Sequence, residues 1–142
     1  MWTYQGKEIK SHADLIAECQ SIVYELTFSD NTKYIGKLVV RSMRHIKPTK
    51  KQLAIRKNYK RVELKDIPFA NYEGSSKEND GKTLVSKEIL YQTNDKKAAS
   101  YIEMALLVTN DVLFNDKYNN KNISGTYFDN SLNGLLGQEE EK

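Results

Sequence analysis

Apolar and polar residues alternate along the segment from Ile22 to Phe28. Its even-numbered positions are all apolar and would face one side of a β-strand, while Val23, Glu25 and Thr27 would face the other. The next four residues, Ser29-Asp30-Asn31-Thr32, are typical of a turn because Asp and Asn bond to their own backbone and Asn tolerates a positive φ. A second strand over Lys33–Lys37 follows, so the pattern predicts a β-hairpin.

The register of this hairpin decides where two tyrosines point. Tyr24 and Tyr34 project to the same face only if the numbers of paired residues add to an even number, such as Ser29 opposite Lys33. A three-residue loop, Asp30-Asn31-Thr32, with one residue in the left-handed region would provide that register. Pairing Phe28 with Lys33 would send the two phenols to opposite faces. We expect the even register.

The remaining elements follow from periodicity and from Pro and Gly positions. We expect an edge strand or packing arm over Trp2–Tyr4, a helix of about ten residues starting at Ser11, a short helix over Val39–His45, a helix over Lys50–Leu64, a loop over Asn71–Gly81, a strand over Thr83–Tyr91 and a helix over Lys96–Asn110. The last helix has the clearest apolar stripe, formed by Ala98, Tyr101, Ile102, Ala105 and Leu106.

Length and composition exclude several classes of protein. A chain of 142 residues is expected to form one domain, or one domain with a tail. Its longest apolar run, Met104–Val108, is too short to span a bilayer. Charged residues near the start, Lys7 among them, argue against a signal peptide. The single cysteine, Cys19, can form neither an internal disulfide nor a zinc site, which favours a cytoplasmic protein.

The net charge of +3 conceals an uneven distribution. The stretch from Lys37 to Lys65 holds 11 of the 22 basic residues and one acid, Glu63, for a local charge of +10. The rest of the chain carries −7. A polarised chain of this kind favours a polyanionic partner, with nucleic acid first. The alternative is a solvated, Lys-rich helix that binds nothing.

The hairpin contains Ile22-Val23-Tyr24, nine intervening residues, and then Tyr34-Ile35-Gly36. This resembles the signature of the GIY-YIG nucleases, with Ile22 in place of the first glycine. An arginine and a histidine follow as Arg41 and His45, then Glu103 within the best helix and Asn119 after it. The segments Tyr72-Glu73-Gly74-Ser75-Ser76 and Asn122-Ile123-Ser124-Gly125, with the opening Met1-Trp2-Thr3-Tyr4, resemble a phage-encoded branch of the family. The resemblance covers the chain from Met1 to about Phe128.

The resemblance implies a small α/β (α+β) domain over residues 1–128, with a three-stranded, mostly antiparallel sheet flanked by helices, and a polar, acidic tail over residues 129–142. It implies a metal-dependent endonuclease that hydrolyses DNA phosphodiester bonds. Tyr24 would be the general base and Tyr34 would position water or phosphate. Arg41 would bind the phosphate, His45 would share the base role or contact a phosphate oxygen, and Glu103 would hold one divalent ion, Mg²⁺ or Mn²⁺.

The expected partner is double-stranded DNA in the cytoplasm, which is that of the host if the chain is phage-encoded, and a homodimer is left open. The residues expected to contact nucleic acid are Lys37, Arg44, Lys47, Lys50, Lys51, Arg56, Lys57, Lys60, Asn119 and Asn122. Because the spacing from Gly36 to Arg41 is short for the family, Arg44 is an alternative phosphate ligand, and Asn122 is an alternative to Asn119. A nucleic-acid-binding protein without catalysis is the main competing hypothesis, and a protein-interaction module is a third.

Overall fold

The computed structural model describes residues 1–56, 61–74, 79–123 and 127–128, without the side chains of residues 45, 46, 61, 62, 127 and 128. The strands in these ranges are β1 (Trp2–Tyr4), β2 (Lys7–Ile9), β3 (Ser21–Phe28), β4 (Lys33–Val39), β5 (Arg41–Ile46), β6 (Arg61–Asp66), β7 (Leu84–Thr93), β8 (Asn122–Ile123) and β9 (Tyr127–Phe128). The helices are α1 (Lys50–Ile55) and α2 (Lys96–Thr109), and a short 3-10 helix covers His12–Asp14.

Five strands form one sheet in the order β2-β1-β7-β3-β4. β1 and β7 run parallel, and the other neighbours are antiparallel. The predicted α+β class is therefore confirmed, as are the strands expected over Ile22–Phe28, Lys33–Lys37 and Thr83–Tyr91. The sheet has five strands rather than three because the hairpin of β1 and β2 adds to it beside β7. β1 is consequently an inner strand, and β2 and β4 are the two edges.

Each face of the sheet packs against its own core. The first core contains Trp2, Ile22, Tyr24, Leu26, Phe28, Phe69 and Ile89. The second core lies under α2 and contains Val23, Ile35, Ala99, Leu107, Val112 and Ile123. The even-numbered residues of β3 thus face one core and Val23 faces the other, which confirms the alternation read from the sequence.

The helix expected over Lys96–Asn110 is confirmed as α2. Ile102 and Leu106 of the predicted stripe pack against the second core, but other members of the stripe do not form the most buried face. Ala99 and Leu107 are buried against the sheet, whereas Tyr101 is 75% exposed. Apolar residues occur on both sides of this helix, so periodicity alone did not fix its rotation. The carboxylate of Asp95 accepts the N–H of Lys97 at 3.0 Å and caps the first turn.

The helix predicted at Ser11 is reduced to the 3-10 turn His12–Asp14. The expected start signal is correct, because the Ser11 hydroxyl accepts the Ala13 N–H and the Asp14 carboxylate accepts the Ser11 N–H. The chain turns extended at Leu15. The carbonyl groups of residues after Leu15 accept hydrogen bonds from the Arg41 side chain, as described below. The chain does not continue as a helix there.

The helix predicted over Val39–His45 is wrong, because this segment forms the end of β4 and most of β5. The helix predicted over Lys50–Leu64 is confirmed for Lys50–Ile55 and wrong from Arg61 onwards, where β6 begins, while residues 57–60 lie outside the described part of the chain. β5 pairs with β6, placing Arg41 opposite Asp66 and Met43 opposite Leu64. Such pairing joins residues far apart in the chain. The local pattern of apolar and polar residues does not indicate it.

β5 and β6 form a separate two-stranded ribbon outside the five-stranded sheet. We call the part of the chain over residues 41–66 the basic arm. Among the described helices the longest, α2, has 14 residues, and none of them is long and apolar enough to cross a membrane.

Candidate active site

The hairpin brings Tyr24 and Tyr34 to the same face of the sheet. Tyr24 lies opposite Gly36 and Leu26 lies opposite Tyr34, so the predicted even register is confirmed. The loop is one residue earlier than the example given from the sequence, because the Phe28 N–H donates to the Thr32 carbonyl at 2.9 Å. Asn31 adopts the left-handed conformation that the turn requires, with φ of 67°.

Tyr24 is a buried phenol at the centre of an aromatic cluster. Its side chain is 2% exposed. The ring packs edge-on against Trp2, at a centroid distance of 5.4 Å, and against Tyr72, at 6.0 Å. Its hydroxyl lies beside Gly36: a Cβ atom at that glycine would be only 2.5 Å from Tyr24 Oη. The missing side chain of Gly36 therefore leaves the space in which the phenol ends, at the edge strand β4.

The surroundings of Tyr24 favour its neutral form. Burial raises the pKa of the phenol far above its ordinary value, and a hydrogen bond to Tyr72 raises it further. The nearby charges of Tyr34 and Glu103 act in the same direction. In the protein alone, Tyr24 is thus a proton donor, and a role as base requires either added positive charge or a route for its own proton.

Glu103 approaches the tyrosines from the other side of the sheet. It lies on α2, which packs against the second core. Burial raises the pKa of its carboxyl, and the positive charge of Lys37 opposes that effect. Lys37 itself joins β4 to α2, since its Nζ donates to Ser100 Oγ at 2.6 Å. Glu103, Lys37 and Tyr24 are therefore coupled electrostatically around the edge strand.

The structure allows a divalent ion held by one carboxylate. Among the residues that the structure describes, no group of three or more His, Cys, Asp or Glu side chains forms a metal cage. Mg²⁺ often binds through one or two carboxylates while keeping several water ligands. Glu103 fits that mode, because its carboxylate is half-buried and a nearby cation would offset the cost of its charge.

Arg41 does not join this group. It is 7% exposed, and its guanidinium is hydrogen-bonded to protein groups on several sides. Nε donates to Asp66 Oδ1 at 3.1 Å, and the terminal nitrogens donate to the carbonyl groups of His12, Ile16, Ala17 and Cys19 at 2.7 to 3.1 Å. The guanidinium therefore fixes the base of the basic arm, and the phosphate role of Arg41 stays a prediction.

The alternative arginine, Arg44, is exposed on β5 opposite Glu63. His45 lies on the same strand, but its side chain is outside the described part of the structure. Its predicted role therefore stays a prediction.

The asparagines after α2 support the hairpin. Asn119 is 7% exposed, and its amide donates to Thr32 Oγ1 at 3.0 Å, so it has a structural role, and its contact with nucleic acid stays a prediction. The neighbouring Asn120, which the sequence analysis did not select, accepts the Ile35 N–H at 3.1 Å and donates to the Ile35 carbonyl at 2.8 Å. Asn122, in β8, is half-buried.

The predicted cationic contacts divide into three groups. Lys37 is exposed on β4 and donates to Ser100 of α2. The predicted contacts that are exposed on the basic arm are Arg44, Lys47, Lys50, Lys51 and Arg56. Lys57 and Lys60 lie outside the described residues. The basic arm thus carries an accessible positive surface that starts where Arg41 fixes its base.

Comparison with known proteins adds a family to this geometry. The family model described as "Putative endonuclease segE, GIY-YIG domain" matches residues 2–130. Searches of curated proteins and of solved structures gave no match. The match covers β1 to β9, including both tyrosines, Glu103 and the basic arm. The chain therefore belongs to the SegE group of the GIY-YIG endonuclease family.

Proposed function

We propose that this protein is an endonuclease that hydrolyses phosphodiester bonds in double-stranded DNA at the outer edge of β4, with one divalent cation. The observation that carries the proposal is the electrostatic coupling of Tyr24 to Tyr34, on the same face of the hairpin, and to Glu103 of α2. Family membership implies a nuclease. The roles of the residues are proposed from their environments.

Glu103 would hold the ion, which supplies Lewis-acid stabilisation of charge that develops on the phosphate and the leaving oxygen. Tyr34 is half-buried and shares the face of Tyr24, so its hydroxyl can orient a water molecule or a phosphate oxygen. Tyr24 would receive the proton of the attacking water. Lys37, exposed and on the same strand, brings positive charge next to the site.

The basic arm would bind the DNA backbone outside the site. Its cations are exposed, and a two-stranded ribbon is narrow enough to approach a duplex groove. Each Lys or Arg that neutralises a phosphate releases counterions, so binding must weaken steeply as salt increases. Removing one such contact is expected to reduce the slope of log affinity against log salt by about 1.

A second function is favoured by a specific observation. The burial of Tyr24, which raises its pKa, and the engagement of Arg41 by protein groups fit a fold that binds DNA without cutting it. In that case the protein would bind DNA through the basic arm, and replacing Glu103 would leave this binding unchanged.

A supercoiled-plasmid nicking assay separates the two functions. Wild type, Tyr24→Phe, Tyr34→Phe and Glu103→Gln are compared in Mg²⁺ and in EDTA, with the exposed Glu18→Gln as the matched acid control. We expect cutting by wild type and Glu18→Gln in Mg²⁺ only, with DNA binding retained by all variants. Equal cutting by Glu103→Gln would refute the proposed ion ligand, and binding without cutting by wild type would establish the second function.

A further inference from the structure

Tyr72 lies outside the predicted site but in contact with Tyr24. The two rings are edge-to-face, 6.0 Å apart between centroids at an interplanar angle of 76°, and their hydroxyl groups are hydrogen-bonded. Because this bond stabilises the protonated form of Tyr24, we assign the Tyr24 hydroxyl as the donor. Tyr72 is half-buried, whereas Tyr24 is buried. Tyr72 thus connects a buried phenol with the surface.

A buried lysine fixes the backbone of Tyr72. Lys87 is 5% exposed, and its Nζ donates to the carbonyl groups of Ala70 and Tyr72 at 2.8 and 3.0 Å. The same ammonium lies 4.8 Å from the centroid of Trp2, the ring that packs against Tyr24. The Tyr72 N–H also donates to the Phe69 carbonyl at 3.0 Å. The two phenols are therefore held together by one connected set of contacts.

This arrangement bears on how Tyr24 could act as a base. A neutral phenol can take a proton from water only if its own proton leaves, and a phenolate is disfavoured in this buried position. The Tyr72 oxygen is the acceptor that already holds the Tyr24 proton in a hydrogen bond.

We propose that Tyr72 is the proton-relay partner of Tyr24. This inference rests on the proposed function. As the attacking water gives a proton to Tyr24 Oη, the original Tyr24 proton passes to Tyr72 Oη and the Tyr72 proton passes to solvent. The water oxygen forms a bond to phosphorus, the bond from phosphorus to the 3′ oxygen breaks, and that oxygen takes a proton from solvent. Each phenol loses one O–H bond and forms one, so both stay neutral and one water is consumed.

In this scheme Tyr72 does not touch the reacting atoms. It is a positioning and relay residue, and Lys87 positions it in turn. The test must therefore measure more than a loss of activity, because a change in packing alone would also lower the rate.

The experiment is single-turnover plasmid cleavage in saturating Mg²⁺ by wild type, Tyr72→Phe and Tyr72→His. The matched control is Tyr101→Phe, since Tyr101 is 75% exposed on α2. Because general acid–base steps contribute from about 100-fold upwards, we expect Tyr72→Phe to lower the rate roughly 100-fold at unchanged DNA affinity. Tyr72→His should restore part of the rate, because imidazole can accept one proton and release another.

Rates in mixtures of H₂O and D₂O give the deciding measurement. Because a relay moves several protons together, a plot of the wild-type rate against the deuterium fraction of the solvent should be curved. The same plot for the residual Tyr72→Phe rate should be linear. A Tyr72→Phe rate equal to that of Tyr101→Phe overturns the proposal. So does a slower rate with the wild-type curvature.

One further readout needs no cleavage. The Tyr24 hydroxyl proton should resonate downfield by NMR, as a hydrogen-bonded proton, in wild type and Tyr101→Phe, and should move upfield in Tyr72→Phe. If wild type cuts no DNA, the proposed function fails. A resonance that is unchanged in Tyr72→Phe overturns the hydrogen-bonded link whether or not the protein cuts.

Discussion

The hydroxyl of Tyr24 fills the space that Gly36 leaves by having no side chain, with only 2.5 Å from Tyr24 Oη to the position of a Cβ atom. The two residues face each other across β3 and β4. The glycine of the second half of the motif thus has a steric role in this chain, and its backbone needs no unusual conformation.

Gly36→Ala is expected to destabilise the protein by about 1–3 kcal/mol, the usual cost of overpacking a core. The Tyr24 ring cannot move aside easily, because Trp2 and Tyr72 pack against it. Urea unfolding measures the change. In a Tyr24→Ala background the same substitution should cost much less, and an equal cost in both backgrounds would show that the two side chains do not compete for this space.

Arg41→Ala is expected to lose stability on the order of 3 kcal/mol, because several carbonyl groups lose their hydrogen-bond donor. Arg44→Ala, an exposed change on the same strand, should leave the urea midpoint nearly unchanged and weaken DNA binding at low salt. Urea melts and a salt titration of DNA affinity test the pair. A stable Arg41→Ala protein would contradict the structural role.

Glu103→Gln is expected to stabilise the ion-free protein at neutral pH. Burial raises the folded-state pKa of Glu103 above its ordinary value of 4.5, so the folded state binds this proton more tightly than the unfolded state does. The contribution of Glu103 to stability is then fully present below the ordinary pKa and is lost as the pH rises through the folded value.

The stability difference between Glu103→Gln and wild type should therefore vanish at low pH and grow toward neutral pH. Adding Mg²⁺ should raise the melting temperature of wild type and leave that of Glu103→Gln unchanged. Thermal melts at several pH values, with Glu18→Gln as control, provide the measurement. An equal Mg²⁺ effect on both proteins would place the ion elsewhere.

Asn120→Ala is expected to cost about 2 kcal/mol, because it leaves the N–H and the carbonyl of Ile35 without their side-chain partner. The Ile35 amide should then exchange faster with deuterium than in wild type. Asn94→Ala, at an exposed position, is the control. Unchanged exchange at Ile35 would show that Asn120 does not hold the strand.

The sequence was sufficient where structure depends on near neighbours. The alternation over Ile22–Phe28 gave β3 and the correct partition of its side chains between two cores, and the turn composition led to the register that unites Tyr24 with Tyr34. The start signal at Ser11 was also located correctly, because capping involves residues within one turn.

What the sequence could not supply were contacts between distant segments. Arg41 and Asp66 pair across β5 and β6. The residue pattern within either strand does not indicate which residue lies opposite. The same holds for Tyr72 and Lys87, which reach Tyr24 through a loop and through Trp2, and for Asn120, whose amide pairs with backbone 85 positions away. These residue types are common, so their importance depends on the fold that brings them together.

The two hydrogen bonds between Asn120 and the backbone of Ile35 have a consequence beyond the site. A sheet edge with open N–H and carbonyl groups is a template on which further copies of a chain can add. Here one edge, β2, is only three residues long. On the other edge, Lys33 donates to the Lys117 carbonyl and accepts from the Asn119 N–H, while Asn120 holds both groups of Ile35. The segment that braces the hairpin thereby also occupies backbone groups to which a further strand could otherwise pair.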